Sequence, residues 1–206
     1  MSAPDDGGTG LTRRGFLGAV GAAVGSVVVL TAGQSFGWLH GANLFGARTR
    51  GLGPQALPVN KTAQAAGVDE LALDPAWRLT VAHGATTRAL TRADLLALPQ
   101  TEVDLPIACV EGWSTAAHWR GVRPAELLAL VGAPAGTGAR FTSLEPRGPY
   151  RLMTMEPEFV RDPRTLVALE LNGEPLDVDH GYPARVIAPA RPGVLQTKWL
   201  ARLEST

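Results

Sequence analysis

The apolar and polar positions divide the chain into two unlike parts. From Gly15 to Ala47 no Asp, Glu, Lys or Arg interrupts the sequence, and Phe16 to Leu30 is rich in Ala, Val, Gly and Leu. Beyond residue 57, short apolar stretches are separated by turn residues. Trp77 to Val81 alternates large and small side chains and predicts a strand, turned by His83-Gly84. Thr91 followed by Asp94, ahead of Leu95-Leu96, predicts a short capped helix that Pro99 ends. Val103 to Cys109 is apolar and β-compatible, and it delivers a thiol at a strand end. Pro124 opens a second helix over residues 125–131, closed by Gly132. Further strands are predicted at 139–145, 150–155, 165–171, 184–188 and 195–203. Short helices among more numerous, poorly alternating strands predict a β-rich α+β domain and not a doubly wound α/β fold.

The uncharged first part reads as an address. Thr12-Arg13-Arg14-Gly15-Phe16-Leu17 places paired arginines before an apolar run, the pattern of a twin-arginine export signal. Such export carries folded proteins. A bilayer needs about 20 apolar residues, and residues 15–39 can supply them, with Phe36 and Trp38 as interface aromatics. No strong cleavage site follows, so the segment is expected as an uncleaved anchor. The domain then sits on the outer face of the cytoplasmic membrane, or is periplasmic or secreted if the signal is removed. The expected organisation is residues 1–39 as signal or anchor, 40–56 as a Gly-, Pro- and Arg-containing linker, and 57–206 as one folded domain.

Composition narrows the partners. Net charge is zero, so nothing points to nucleic acid. All but two of the 19 basic residues are arginine, which makes Lys61 and Lys198 worth locating. There is no glycine-rich dinucleotide fingerprint and no Walker-type loop. Cys109 is the single cysteine and cannot form an internal disulfide. Composition alone favours reading it as a buried core thiol.

Three segments change that reading. Leu57-Pro58-Val59-Asn60-Lys61-Thr62 opens the domain. Ile107-Ala108-Cys109-Val110-Glu111-Gly112-Trp113-Ser114 carries the thiol and continues through His118-Trp119-Arg120. Leu171-Asn172-Gly173-Glu174-Pro175-Leu176 is followed by His180-Gly181-Tyr182-Pro183-Ala184-Arg185 and by Gly193 to Trp199. Gly-dense chain beside His, Arg and Lys suits an anionic, phosphate-bearing ligand.

In order and spacing these segments resemble the sulfite oxidase superfamily of molybdopterin-dependent oxidoreductases. The Cys-Val-Glu-x-Trp-Ser run is closer to the catalytic subunit of the periplasmic protein-methionine-sulfoxide reductase than to sulfite oxidase itself. The resemblance implies a sulfite-oxidase-type molybdopterin-binding fold and a molybdenum–molybdopterin cofactor. It implies that Cys109 is the catalytic thiolate on molybdenum. It also implies pterin contacts from Asn60, Lys61 and Thr62, and a hydroxyl in the cofactor pocket from Ser143. His180 and Arg185 become contacts to the cofactor and its phosphate, and Gln196, Thr197 and Lys198 a segment closing over the pterin. A soft thiolate suits a sulfur-ligated metal, and arginine and lysine provide a planar fork and a point charge for a phosphate.

The chain departs from that family in one telling place. Sulfite oxidases have an arginine before the asparagine of the first segment, where it binds sulfite, whereas this chain has Val59. The expectation is therefore two-electron oxygen-atom transfer on a small or protein-bound S-oxide, N-oxide or oxo-anion, not sulfite. No Cys-x-x-Cys-His haem attachment is present. A separate electron-transfer partner is expected, a membrane haem or quinol-linked protein, besides the twin-arginine export machinery. His83 and His118 read as structural or exposed, Glu111 as a proton donor or a hydrogen-bond anchor, and Trp113, Trp119 and Trp199 as packing residues. Two other readings stay open: a non-catalytic membrane-attached binding or scaffold module that keeps this fold, and a thiol hydrolase pairing Cys109 with His118 or His180.

Overall fold

The computed structural model describes residues 53–108 and 114–206, together with Val20. The expected signal or anchor, apart from Val20, and Cys109 lie outside the described residues. Among those described, no helix is long and apolar enough to cross a membrane.

The domain is built on two five-stranded sheets. The first takes β1 (Leu79–His83), β2 (Thr86–Leu90), β5 (Ala139–Ser143), β6 (Leu152–Met155) and β10 (Leu200–Ser205) in the order β2-β1-β10-β5-β6. Only its β1–β10 pair is parallel. The second takes β3 (Thr101–Ala108), β4 (Ser114–Val122), β7 (Leu166–Leu171) and β8 (Glu174–Pro175) in that order, with β9 (Arg185–Ile187) paired to β7. Short helices accompany them: α1 (Ala63–Ala66) and α2 (Asp69–Leu73) ahead of β1, and α3 (Arg92–Ala97), α4 (Pro124–Ala129) and α5 (Pro157–Arg161) on the connections that pass from one sheet to the other.

Strand β7 explains how the sheets share a core. Its sequence Leu-Val-Ala-Leu-Glu-Leu is apolar on both faces, as expected of a strand buried on both sides. Val167 and Leu169 join the main core with Leu79, Val81, Phe141 and Leu203 of the other sheet and Leu127 and Leu128 of α4. Leu166, Ala168 and Leu171 join a second cluster with Leu57, Leu105, Ile107 and Trp119. Each fully buried Leu or Phe side chain contributes about 1.5–3 kcal/mol, so β7 binds both layers at once. Ala63, Ala66, Val68, Ala72 and Trp199 form a third, smaller cluster beneath α1 and α2.

The local signals read from sequence have visible causes. Thr91 and Asp94 form the reciprocal capping box at the start of α3. Pro124 opens α4, and Gly132 takes a positive φ of 75° just beyond its end. The strand expected at 195–203 is displaced: Gly193–Leu195 is a single 3₁₀ turn, and extension resumes at Leu200. The cause is local, because Gln196–Lys198 turn polar groups inward and Trp199 adopts φ 51°. Strands β2, β4 and β8 and helices α1, α2 and α5 are not among the elements the sequence predicts. Four of the five β2 residues are exposed, so it carries little apolar pattern. Residues Pro54–Ala56, placed in the linker from sequence, form a 3₁₀ turn bonded to the domain: Gln55 Nε2 donates to the carbonyls of Leu171 and Pro175, and its Oε1 accepts from Asp177 N–H.

Strands β4 and β7 meet through a bulge between Arg120 and Gly121. A Cβ on Gly121 would lie 2.1 Å from the Val167 carbonyl oxygen and 2.7 Å from Ala168 Cα, both immobile backbone. Gly121→Ala is therefore expected to lower stability by about 2–4 kcal/mol through overpacking. Equilibrium urea denaturation checks this, and an unchanged midpoint would mean that the two strands can separate at no cost.

Candidate functional site

Three loop segments converge on one cleft of about 680 Å³, part of it open to solvent. The first is the entry segment Leu57–Lys61. Leu57 is buried and anchors it, while Asn60 and Lys61 line the cleft. The second is the turn at Val178–His180 and the start of β9, which present His180 and Arg185. The third is Gly193–Lys198, which presents Gln196, Thr197 and Lys198. Ile107, two residues before Cys109, lines the same cleft.

The second and third segments are fastened to each other. Val186 N–H donates to the Thr197 carbonyl and Leu200 N–H to the Ala184 carbonyl, each at 2.8 Å. Gly181 sits where they come closest, with φ 109°. A Cβ there would lie 3.0 Å from Arg185 Cβ and 3.2 Å from Lys198 Cβ. Only glycine suits both that backbone and that spacing.

Arg185 is 4% exposed and lies 5.2 Å from the Trp119 ring centroid. One terminal nitrogen donates to the His180 carbonyl at 2.9 Å, and its Nε is buried without a partner. Lys198 donates from Nζ to the carbonyls of Lys61 (2.6 Å) and Asp179 (2.8 Å) and lies 4.5 Å from the Trp199 ring centroid. Among the described residues neither cation makes an ion pair. Burial pushes the guanidinium of Arg185 down to about 9, which leaves it charged at neutral pH. Burial, and then the nearby Arg185, push the Lys198 ammonium down to about 7. Burial likewise lowers His180, while its hydrogen bond to Pro54 opposes the shift. Its Nε2 lies 2.7 Å from the Pro54 carbonyl oxygen, which can only accept. The proton is therefore on Nε2, and Nδ1 is left as an acceptor.

Two further buried polar atoms lack partners here, Gln196 Oε1 and Thr197 Oγ1. The Gln196 amide is held from behind, donating to the carbonyls of Ala188 and Arg191. Buried polar atoms are nearly always satisfied. Gln196 Oε1, Thr197 Oγ1 and the Arg185 Nε suit a hydrogen-bonding ligand, and the unpaired Arg185 and Lys198 suit an anionic one.

Of the residues singled out from sequence, Asn60, Lys61, His180, Arg185, Gln196, Thr197 and Lys198 share this cleft. Thr62 and Ser143 have other work. The Thr62 hydroxyl caps α1 by accepting from Ala65 N–H. The Ser143 hydroxyl donates to the Lys198 carbonyl and accepts from Glu145 N–H, so it braces the cleft from behind. Cys109 lies outside the described residues. His118 pairs with Asp104 across the β3–β4 ribbon, is partly exposed, and does not line the cleft. Sequence reasoning missed Glu145 and Tyr150, which reach the cleft from the loop between β5 and β6. No motif marks them; a carboxylate and an aromatic in a Gly- and Pro-containing loop look like solvated surface.

The sign of the Lys198 titration gives a test. Its unfolded value is near 10.5 and its folded value is about 7, so between these the unfolded chain holds more protons. Stability from this group therefore rises with pH across that window, and its penalty is complete below it. Lys198→Met removes the titrating group. Its stability relative to the parent, both measured without ligand, is expected to be more favourable at pH 6 than at pH 9.5. A difference that does not vary with pH would mean that Lys198 is not desolvated.

The family described as oxidoreductase molybdopterin binding domain matches residues 65–206. Sulfite oxidase of Arabidopsis thaliana is 32% identical over 146 residues, covering 55% of this chain and 37% of that protein. Mitochondrial sulfite oxidase of Homo sapiens is 31% identical over 160 residues, covering 64% and 29%. The putative protein-methionine-sulfoxide reductase subunit YedZ1 of Azospira oryzae is 30% identical over 115 residues, covering 56% and 43%. Among solved structures, the sulfane dehydrogenase SoxCD from Paracoccus pantotrophus superposes with a TM-score of 0.56 at 25% identity, covering 65% of this chain and 40% of that one. The chain thus spans less than half the length of each of these relatives. The β-rich α+β fold, the cationic cleft and the extent of the family match agree: the chain belongs to the oxidoreductase molybdopterin-binding domain family, whose cofactor is molybdopterin.

Proposed function

We propose that this chain is an exported molybdenum–molybdopterin oxidoreductase that carries out two-electron oxygen-atom transfer on an S-oxide, N-oxide or oxo-anion other than sulfite. The observation that carries the reading is a buried arginine, Arg185, and a half-buried lysine, Lys198, neither in an ion pair among the described residues, in one cleft with the orphaned Gln196 Oε1 and Thr197 Oγ1. These residues fit a phosphate-bearing pterin. Arg185 and Lys198 would hold its phosphate, a fork and a point charge respectively. Gln196 Oε1, Thr197 Oγ1 and the Nδ1 of His180 would meet its hydrogen-bonding edges. Among the described residues no cluster of three or more His, Cys, Asp or Glu is placed to cage a metal. The proposed protein ligand is the Cys109 thiolate alone, which follows directly on Ala108 at the end of β3.

When bound, the molybdenum group supplies the oxygen-atom-transfer chemistry. The chain's own contribution is to bind the group, orient it and keep the cleft walls fixed. Reduction of an oxide consumes two electrons and two protons and releases water. The electrons are assigned to a separate membrane haem or quinol-linked protein. The exclusion of sulfite rests on Val59, an apolar residue where sulfite oxidases bind that anion. Residues 15–39, preceded by Arg13-Arg14, support export by the twin-arginine route and attachment to the outer face of the membrane.

Protein made in a cofactor-competent host is expected to carry about one molybdenum and one pterin per chain, the metal being lost in Cys109→Ala because its one proposed protein ligand is removed. Elemental analysis and fluorescence of oxidised pterin read both. With an artificial electron donor the loaded protein should reduce members of a sulfoxide and N-oxide panel and show no sulfite-dependent turnover. Absence of both metal and pterin from the wild-type protein would remove the reading, and rapid sulfite oxidation would overturn its substrate half.

A further inference from the structure

The cleft is lined by several residues that the proposed function does not use, among them a carboxylate. Glu145 is the single carboxylate among its described lining residues, and its side chain is only 11% exposed. It forms an ion pair with Lys61, whose side chain is 41% exposed and marks the open end. Glu145 is held in place at its backbone. Its N–H donates to Ser143 Oγ at 3.2 Å, and its carbonyl accepts from Arg151 Nε at 2.8 Å. Ser143 also binds the Lys198 carbonyl, so one hydroxyl holds the backbone of both Glu145 and Lys198.

We infer that Glu145 is a specificity-determining residue that selects neutral oxides over anionic ones by cancelling the charge of Lys61 at the cleft mouth. This rests on the function proposed above. With a phosphate held by Arg185 and Lys198, the charges left to meet an incoming molecule are Lys61 and Glu145, and they sum to zero. A sulfoxide or N-oxide enters as a neutral dipole and leaves no charge unpaired. An oxo-anion gives up its hydration and finds the one remaining ammonium already bound to a carboxylate, an arrangement that discriminates by repulsion as much as by attraction. Tyr150, on the same loop and 49% exposed, adds an apolar ring and a hydroxyl that can donate to an oxide oxygen. The substrate class this mouth fits is therefore a neutral S-oxide or N-oxide.

The test is a charge cycle with sulfate as the probe. Sulfate binding is measured by calorimetry on wild type, E145Q and the double variant K61M/E145Q. E145Q frees Lys61 and is expected to bind sulfate roughly tenfold more tightly, the scale of one charge a few ångströms away in a partly wet site. Adding K61M should return the affinity to within about threefold of wild type. E145A, which removes the carboxylate without leaving an amide, must show the same gain, so the result does not hang on one variant. In the loaded enzyme, the kcat/KM ratio of an anionic oxide to a neutral one should rise in E145Q by a similar factor. Equal sulfate affinity in wild type and both Glu145 variants would overturn the inference, as would a gain that survives K61M. The cycle can also be run on cofactor-free protein, where the part that depends on Lys61 is taken by difference from binding at the deeper cations. Missing molybdenum would thus count against the parent reading, and only the sulfate cycle against the role of Glu145.

Discussion

Arg185 and Lys198 flank Gly181 in the wall of one cleft, and among the described residues no carboxylate pairs with either. Burying a charge without a partner is among the more expensive arrangements a fold can hold. The chain meets the cost with dipoles instead of ions. Lys198 takes two backbone carbonyls and the face of Trp199, and Arg185 takes one carbonyl and the face of Trp119. Much of the surrounding geometry follows from that choice. Trp199 is held in the left-handed region with its indole N–H on the Val178 carbonyl, a conformation unusual for a bulky residue and characteristic of sites that are held under strain. Gly181 keeps the two stems close, and His180 is fixed in one tautomer by the Pro54 carbonyl.

Rigid sheets make this arrangement sustainable. Each of the three segments that form the cleft is short and irregular, yet each begins or ends on a buried element. The entry segment hangs from Leu57 in the cluster beneath β7. The turn carrying His180 runs into β9, which pairs with β7. The segment ending at Lys198 runs into β10, the central strand of the other sheet. Binding residues on loops braced by packed strands are a general solution to the need for both access and precision. Here the two sheets are tied through β7, so a shift in one layer would be felt at the cleft wall supported by the other.

The sequence disclosed this site unevenly, for physical reasons. Capping boxes and proline starts are local chemistry, so Thr91–Asp94 and Pro124 were legible without any tertiary knowledge. The two lysines stood out because arginine dominates the rest. Seven of the residues chosen by resemblance meet in the cleft, while the role of Cys109 lies beyond what the described residues can speak to. Thr62 and Ser143 sit beside the cleft, but their hydroxyls are taken by backbone groups. Spacing along a chain cannot tell a hydroxyl that faces a ligand from one that caps a helix or braces a neighbour. Glu145 and Tyr150 were invisible for the opposite reason: their significance comes wholly from where the loop between β5 and β6 folds back, which no periodicity encodes. The strand expected through 195–203 starts five residues late, at Leu200, because the polar triplet Gln196–Lys198 turns into the site.

A cleft with unanswered positive charge also couples ligand to stability. Any anion that binds the folded chain and not the unfolded one stabilises it by mass action, and here it would also remove a standing electrostatic penalty. Filling the cleft raises the ammonium of Lys198 back towards its ordinary range, so binding takes up a proton near neutral pH and weakens as pH rises above about 7. A chain of this kind is at its most stable once loaded. On the proposed export route, which moves proteins already folded, loading before transport would send the domain across with its buried cations compensated. An export route that unfolds its cargo would instead expose Arg185 and Lys198 to water and leave the domain to rebuild the cleft uncompensated. The proposed export signal and the cationic cleft thus argue for the same order of events.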